Sequence, residues 1–241
     1  MGRHGTIAGR KAAQDSKRSA LFTKYAKTIT VAAKDGGDPE YNSSLRVAIE
    51  KAKDIGMPND NINRAIKKGT GELGGSSYDE LKFEGYGAGG VAIIVDCLTD
   101  NTNRTTSAVR SLFDKHGGNL GTPGCVSYMF ARKGVILIEK SEETEEDSLM
   151  DTALEAGAED MVVHEDSFEI ITDPTDYHAV DDALRKQGYE LVESEITYVP
   201  SVESRPEDED LKKLKKLVDM LEDNDDVQTV NTNCSVDLEE V

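Results

Sequence analysis

The sequence predicts a multidomain α+β protein, with an N-terminal three-helix bundle over residues 1–75 and two ferredoxin-like α/β units behind it, one inserted in the other. Three observations carry that reading. Apolar residues recur at helical spacing through residues 1–75 and at strand spacing beyond a Gly- and Ser-rich break, GTGELGGSS at residues 69–77. Residues 134–200 run strand, helix, two short strands, helix, strand, which is the order of a split βαβ unit. Charge divides at the same break: residues 1–75 hold 14 Lys and Arg against 8 Asp and Glu, a net +6, while the remainder holds 14 against 39, a net −25.

The first helix is expected over residues 15–34, with Phe22, Tyr25, Ala26, Ile29, Ala32 and Ala33 on its packing face. Lys17, Lys24, Lys27 and Lys34 fall within an arc of about 100° on the other side. Asp35-Gly36-Gly37 stops it. Asn42 then caps a second helix to Ile55, whose Leu45, Ala48, Ile49, Ala52 and Ile55 face inward. Pro58 suits the first turn of a third, with Ile62, Ala65 and Ile66 inward before Gly69. Arg64, Lys67 and Lys68 face solvent, and the helix dipole alone accounts for Lys67 and Lys68 in the last turn.

Beyond the break, YDELKFEGY and GVAIIVDCL (residues 90–98) read as strands. The glycine string between them, GYGAGG at residues 85–90, leads into a strand and not a helix, so it reads as a hairpin turn and not a phosphate loop. Thr99 to Asn103 cap a helix with Val109, Leu112 and Phe113 inward, and Val126–Ala131 follows as a strand. Residues 134–200 then supply strands at 134–140, 161–164, 168–172 and 191–199, with helices at 145–156 and 174–187. A helix from Pro206 to Leu221 and a strand at 227–230 close the chain. Residues 77–132 lack a second covering helix, so residues 201–241 are expected to return and complete that unit, leaving residues 133–200 as an insertion.

No run approaches the roughly 18 apolar residues of a membrane helix, and the N-terminus lacks a signal peptide's apolar stretch, so a cytoplasmic location is expected. Cys97, Cys125 and Cys234 are odd in number and far apart, which points to reduced thiols. His4, His116, His164 and His178 show no metal-ligand spacing, and Cys97 lies in an apolar strand where a buried inert thiol is expected. No catalytic residue, metal site, cofactor or small-molecule substrate is nominated, and a non-enzymatic monomer is expected.

The basic unit favours a polyanion. Its candidate nucleic-acid-binding residues are Arg10, Lys11, Lys17, Arg18, Lys24, Lys27, Lys34 and Arg64. A second polar site is read from LTDNTNRTTSAVR, where Asn101, Asn103, Arg104 and Arg110 gather about a helix N-terminus on an otherwise acidic body. An aromatic content of 5% without Trp argues against binding by base stacking.

The strings AAQDSKRSALFTKYAKTI, AAKDGGDP, IEKAKDIGMPNDNINRAIKKGTG, FEGYGAGGVAIIVDCLTDNTNRT and GGNLGTPGCVSYMF resemble the YebC/PmpR family of probable transcriptional regulatory proteins. The resemblance implies three domains, an N-terminal helical bundle and two α/β domains with one inserted in the other. It also implies a role on nucleic acid, either as a DNA-binding transcription regulator or, as for the mitochondrial translational activator of cytochrome oxidase subunit I, on ribosomal RNA at the ribosome. The chain departs from the family at its N-terminus, where HGTIAGRK stands in place of a Ser-Lys-Trp segment.

Overall fold

The structure, a computed structural model, describes residues 18–74, 77–141, 144–238 and 241. The helical domain consists of α1 (Arg18–Ala32), α2 (Ser43–Asp54) and α3 (Asn59–Gly69). Behind it run β1 (Asp79–Tyr86), β2 (Ala92–Thr99), α4 (Thr102–Lys115), β3 (Asn119–Leu120), β4 (Phe130–Glu139), α5 (Glu146–Ala156), β5 (Ala158–Val163), β6 (Ser167–Thr172), α6 (Tyr177–Lys186), β7 (Leu191–Pro200), α7 (Asp208–Glu222) and β8 (Val227–Thr232).

In the helical domain Ile29 and Ala33 meet Leu45, Ala48, Ile49 and Ala52 of α2 and Ile62 and Ala65 of α3 in one core. Asn42 joins the first two helices. Its side chain accepts the Leu45 N–H at 3.0 Å as an N-cap, and its amide donates to the carbonyls of Ala32 at 2.7 Å and Gly36 at 2.8 Å. One buried residue thus closes α1 and opens α2. The helix expected to reach residue 34 ends at Ala32 and tightens into a 3-10 turn over Ala33–Asp35. Residues 15–17 of that expectation lie outside the described residues. Gly69 lets α3 approach α1, since a Cβ there would stand 2.3 Å from the Thr30 carbonyl oxygen.

The first α/β unit is a four-stranded antiparallel sheet in the order β3-β1-β2-β8. Its central strand is buried on both faces, which explains the near-continuous apolar run of residues 91–95. Ile93, Val95 and Cys97 pack beneath Val109 and Phe113 of α4 and Leu211, Leu214 and Leu217 of α7. Ala92 and Ile94 on the other face meet Val126 and Phe130. The tail returns as α7 and β8, and β8 takes the open edge of β2 from Ile93↔Thr232 to Cys97↔Val227. Between β1 and β2 the glycine string forms a tight turn, in which the Gly87 N–H donates to the Val91 carbonyl at 2.7 Å and Gly89 takes φ 71°. The buried Glu84 carboxylate accepts the N–H groups of Gly124, Val126 and Ser127 at 2.9–3.0 Å, which shapes the loop leading to β4.

The inserted unit repeats that layering with strand order β5-β6-β4-β7, and α5 and α6 cover Ile136, Ile138, Phe168 and Ile170 through Leu149, Val180 and Leu184. The strands expected at Val126–Ala131 and Gly134–Lys140 are one strand, β4, preceded by a 3-10 turn at Ser127–Met129. Gly134 therefore does not interrupt it. A Cβ there would lie 2.2 Å from Thr172 Oγ1 and 2.7 Å from Tyr177 Cδ2, so the glycine makes room for α6. Phe130 opens β4 and pairs with Pro200 at the end of β7, so the chain leaves and re-enters the first unit at adjacent points. Among the described residues no helix is long and apolar enough to cross a membrane.

A fragment of residues 130–200 contains the whole second sheet and its core, and it should melt cooperatively by circular dichroism. A fragment of residues 140–200 loses β4 from between β6 and β7 and should remain unfolded.

Candidate nucleic-acid interface

The described lysines of α1, Lys24 and Lys27, leave the helix opposite its core, as their spacing requires, but they do not stand free in solvent: Lys24 is half-buried and Lys27 buried. They meet the turn between α7 and β8. Lys24 Nζ donates to the Glu222 carbonyl at 2.8 Å. Lys27 Nζ donates to the Asp225 carbonyl at 2.6 Å, to Asp226 Oδ1 at 2.7 Å and to the Leu98 carbonyl at 3.3 Å, which occupies all three ammonium protons. Thr28 Oγ1 reaches Gln228 Oε1 at 3.2 Å. The cause is the chemistry of a helix end. The last carbonyls of α7 lack intrahelical partners and carry the negative end of the dipole, and the adjoining turn adds a buried carboxylate. At 8% exposure, Lys27 has no path to a phosphate, which corrects its expected place on a solvent face.

Asp226 is the centre of this joint. Its Oδ2 accepts from Arg104 Nη2 at 2.6 Å and Thr105 Oγ1 at 2.8 Å, while Oδ1 takes Lys27. With the Thr105 proton given to Asp226, the Thr99 hydroxyl donates to Thr105 Oγ1 at 2.8 Å, and Arg104 pairs with Asp100 at 2.9 Å. Burial alone would raise the Asp226 carboxyl, but the hydrogen bonds from Lys27, Arg104 and Thr105 outweigh it and hold the group down at about 2. The residues read as a second polar site therefore divide. Asn101 caps α4 by accepting the Arg104 N–H at 3.0 Å, and Arg104 belongs to the joint. Asn103 and Arg110 face solvent.

Lys34 donates to the Tyr78 carbonyl at 2.9 Å, and Lys68 donates to the Tyr78 hydroxyl at 2.7 Å while lying 4.5 Å over its ring. Together they pin the first residues of the α/β region to the helical domain. Burial, and then Glu195 and Glu193 of β7 and Asp54 of α2, push the Tyr25 hydroxyl up to about 12. Arg64 is exposed on α3. Arg18 opens α1, and Arg10, Lys11 and Lys17 lie outside the described residues.

Sequence reasoning missed Asp226, Thr105 and Tyr78. The only signal for Asp226 was its place in the acidic string LEDNDDVQ just past a helix end, where a carboxylate reads as solvated. Cys97 is as inert as its apolar strand implies, for burial first and then Asp96 and Asp226 push its thiol up to about 12.

Comparison with known proteins extends over the same elements. The TACO1/YebC protein N-terminal domain model matches residues 3–72, and the TACO1/YebC second and third domain model matches residues 78–234. A probable transcriptional regulatory protein of Clostridioides difficile is 54% identical over 239 residues, covering 98% of this chain and all of that one. Another from Persephonella marina is 54% identical over 230 residues, covering 94% and 92% of the two chains. The crystal structure of a conserved hypothetical protein from Aquifex aeolicus superposes with a TM-score of 0.83 at 46% identity, covering 92% of each chain.

Replacing Asp226 with Ala strands the Lys27 ammonium in the joint, and removal of one partner of a buried pair costs about 3–5 kcal/mol, readable by urea unfolding. The pH dependence has a definite sign. Because the folded carboxyl titrates at about 2, below its unfolded value of about 3.9, its contribution is complete above that value and is lost as pH falls from about 4 through 2. Wild type should lose stability across that window by more than Asp226→Asn does.

Proposed function

Since the chain belongs to the TACO1/YebC family, we propose that it is a non-enzymatic cytoplasmic regulator of transcription that binds duplex DNA through its helical domain. The observation that supports this reading is where positive charge remains once the joint is satisfied. Lys24, Lys27 and Lys34 are engaged with the α/β body. Apart from those three, the sequence places Arg3, Arg10, Lys11, Lys17 and Arg18 within residues 1–18 against the single carboxylate of Asp15, and among the described residues the helical domain exposes Arg46, Lys53, Arg64 and Lys67. A polyanion is attracted to that end and repelled by the net −25 of the rest of the chain, so its first approach is from the helical side. Contacts of this kind go to phosphates, which position the protein without reading sequence.

Changing Arg3, Arg10, Lys11 and Lys17 to Ala should lower the slope of log K against log salt on duplex DNA by about 3 to 4, at roughly 0.9 per phosphate contact. The loss should be alike on unrelated duplexes, with melting unchanged. If duplex binding is weak from the start and the variant instead leaves the ribosomal fractions of a sucrose gradient, the target is ribosomal RNA. An unchanged slope together with unchanged sedimentation would overturn the reading.

A further inference from the structure

The body beyond the helical domain is acidic, yet its basic residues are not spread evenly over it. Of its 14 Lys and Arg, Arg110, Lys115, Lys212, Lys213 and Lys216 converge on the face shared by α4 and α7. They line two adjoining grooves. One, of about 470 Å³, runs along α4 past Ser107, Arg110 and Ser111. The other, of about 630 Å³, lies between the end of α4 and α7 and is walled by Lys115, His116, Lys212, Lys213 and Lys216. Lys115 stands in both.

The counter-charges are few. Asp114 borders both grooves, and Asp210 pairs with Lys213 at 3.1 Å. Arg110, Lys115, Lys212 and Lys216 make no ion pair among the described residues. Asp208 and Glu209, in the first turn of α7, do not line either groove.

The helix dipole accounts for Lys115, which closes α4, but not for Lys212 near the start of α7 or Lys216 in its middle. Those two sit four residues apart on one helix face, where like charges repel and weaken the helix. An anion between them would relieve the repulsion. The scaffold is rigid, since Val109 and Phe113 of α4 and Leu211, Leu214 and Leu217 of α7 share one core directly beneath. At the other end of α4 Arg104 pairs with Asp226, which Lys27 ties to the helical domain. About 16 Å of helix separates Arg104 from Lys115, roughly half a turn of duplex DNA.

Resting on the reading of the chain as a nucleic-acid binder, we propose that the groove between α4 and α7 is a second contact for the phosphate backbone of the same nucleic acid. The ammonium groups of Lys115, Lys212 and Lys216 and the guanidinium of Arg110 neutralise phosphates, and the hydroxyls of Ser107 and Ser111 donate to their oxygens.

The test uses the full-length chain carrying Lys115→Ala, Lys212→Ala and Lys216→Ala, titrated with a mixed-sequence DNA duplex and with folded ribosomal RNA over a range of salt. The salt slope on the duplex should fall by about 2 to 3, with the thermal midpoint unchanged or raised. Asp114→Asn, which removes the carboxylate and keeps its shape, should tighten binding. Arg132→Ala with Lys186→Ala, exposed basic residues on the inserted unit, should leave the slope as it was. A slope that falls on ribosomal RNA alone supports the groove and assigns it that source of phosphate. An unchanged slope in the triple variant while wild type binds, or an equal fall in the Arg132 and Lys186 variant, overturns the groove alone. If wild type binds neither nucleic acid, the regulatory reading fails and the groove with it.

Discussion

A carboxylate removed from water must be met by cations, and the one at Asp226 is met from two domains at once. Lys27 reaches it from α1, while Arg104 and Thr105 reach it from the first turns of α4. Neither side suffices, because each oxygen takes a different partner and the Lys27 ammonium is itself buried. Pairs of this kind add little net stability over apolar packing, but leaving one half unmatched is costly. Their effect is to fix register. Only one placement of α1 on the α7–β8 turn satisfies Lys24, Lys27 and Asp226 together, and that placement also puts Lys34 and Lys68 on Tyr78 and Tyr25 beside Glu193 and Glu195 of β7.

This constraint changes what the charge asymmetry means. A helical domain of net +6 attached to a body of net −25 is attracted to that body before any external partner arrives. Part of the segregation therefore serves to hold the molecule together, and the lysines that look most like a binding stripe are the ones it uses. Charge left over after internal pairing is the better guide to an outside polyanion. By that measure, among the described residues the α4–α7 groove stands out and the middle of α1 does not.

Much of the fold was legible because periodicity reports which side of an element is apolar. Ile29, Leu45, Ile49 and Ile62 fall in one core, and Leu211, Leu214 and Leu217 in another, as their spacing requires. The βαββαβ order and the return of the tail to a sheet short of one helix follow from the same pattern. What stayed hidden depends on contacts between distant residues. Gly134 looks like a strand break until Tyr177 is seen to fill the space of its missing side chain. The polar face of α1 looks solvated because periodicity says where a lysine points and nothing about what lies there. Lys27 and Asp226 are 199 residues apart, and each is ordinary in its own surroundings.

The two basic surfaces differ in a way that composition cannot express. On α1, Lys24 and Lys27 face carbonyls and a carboxylate supplied by another domain, and a phosphate could reach Lys27 only by undoing the joint. On α4 and α7 the cations line a groove whose described walls hold one carboxylate, Asp114. Helices that pack through a shared core hold the backbones of these cations close together, so a phosphate that enters the groove meets several of them at once. Because the rest of the body is acidic, the proposed groove would supply a polyanion held at the helical domain with a further cationic stretch along α4.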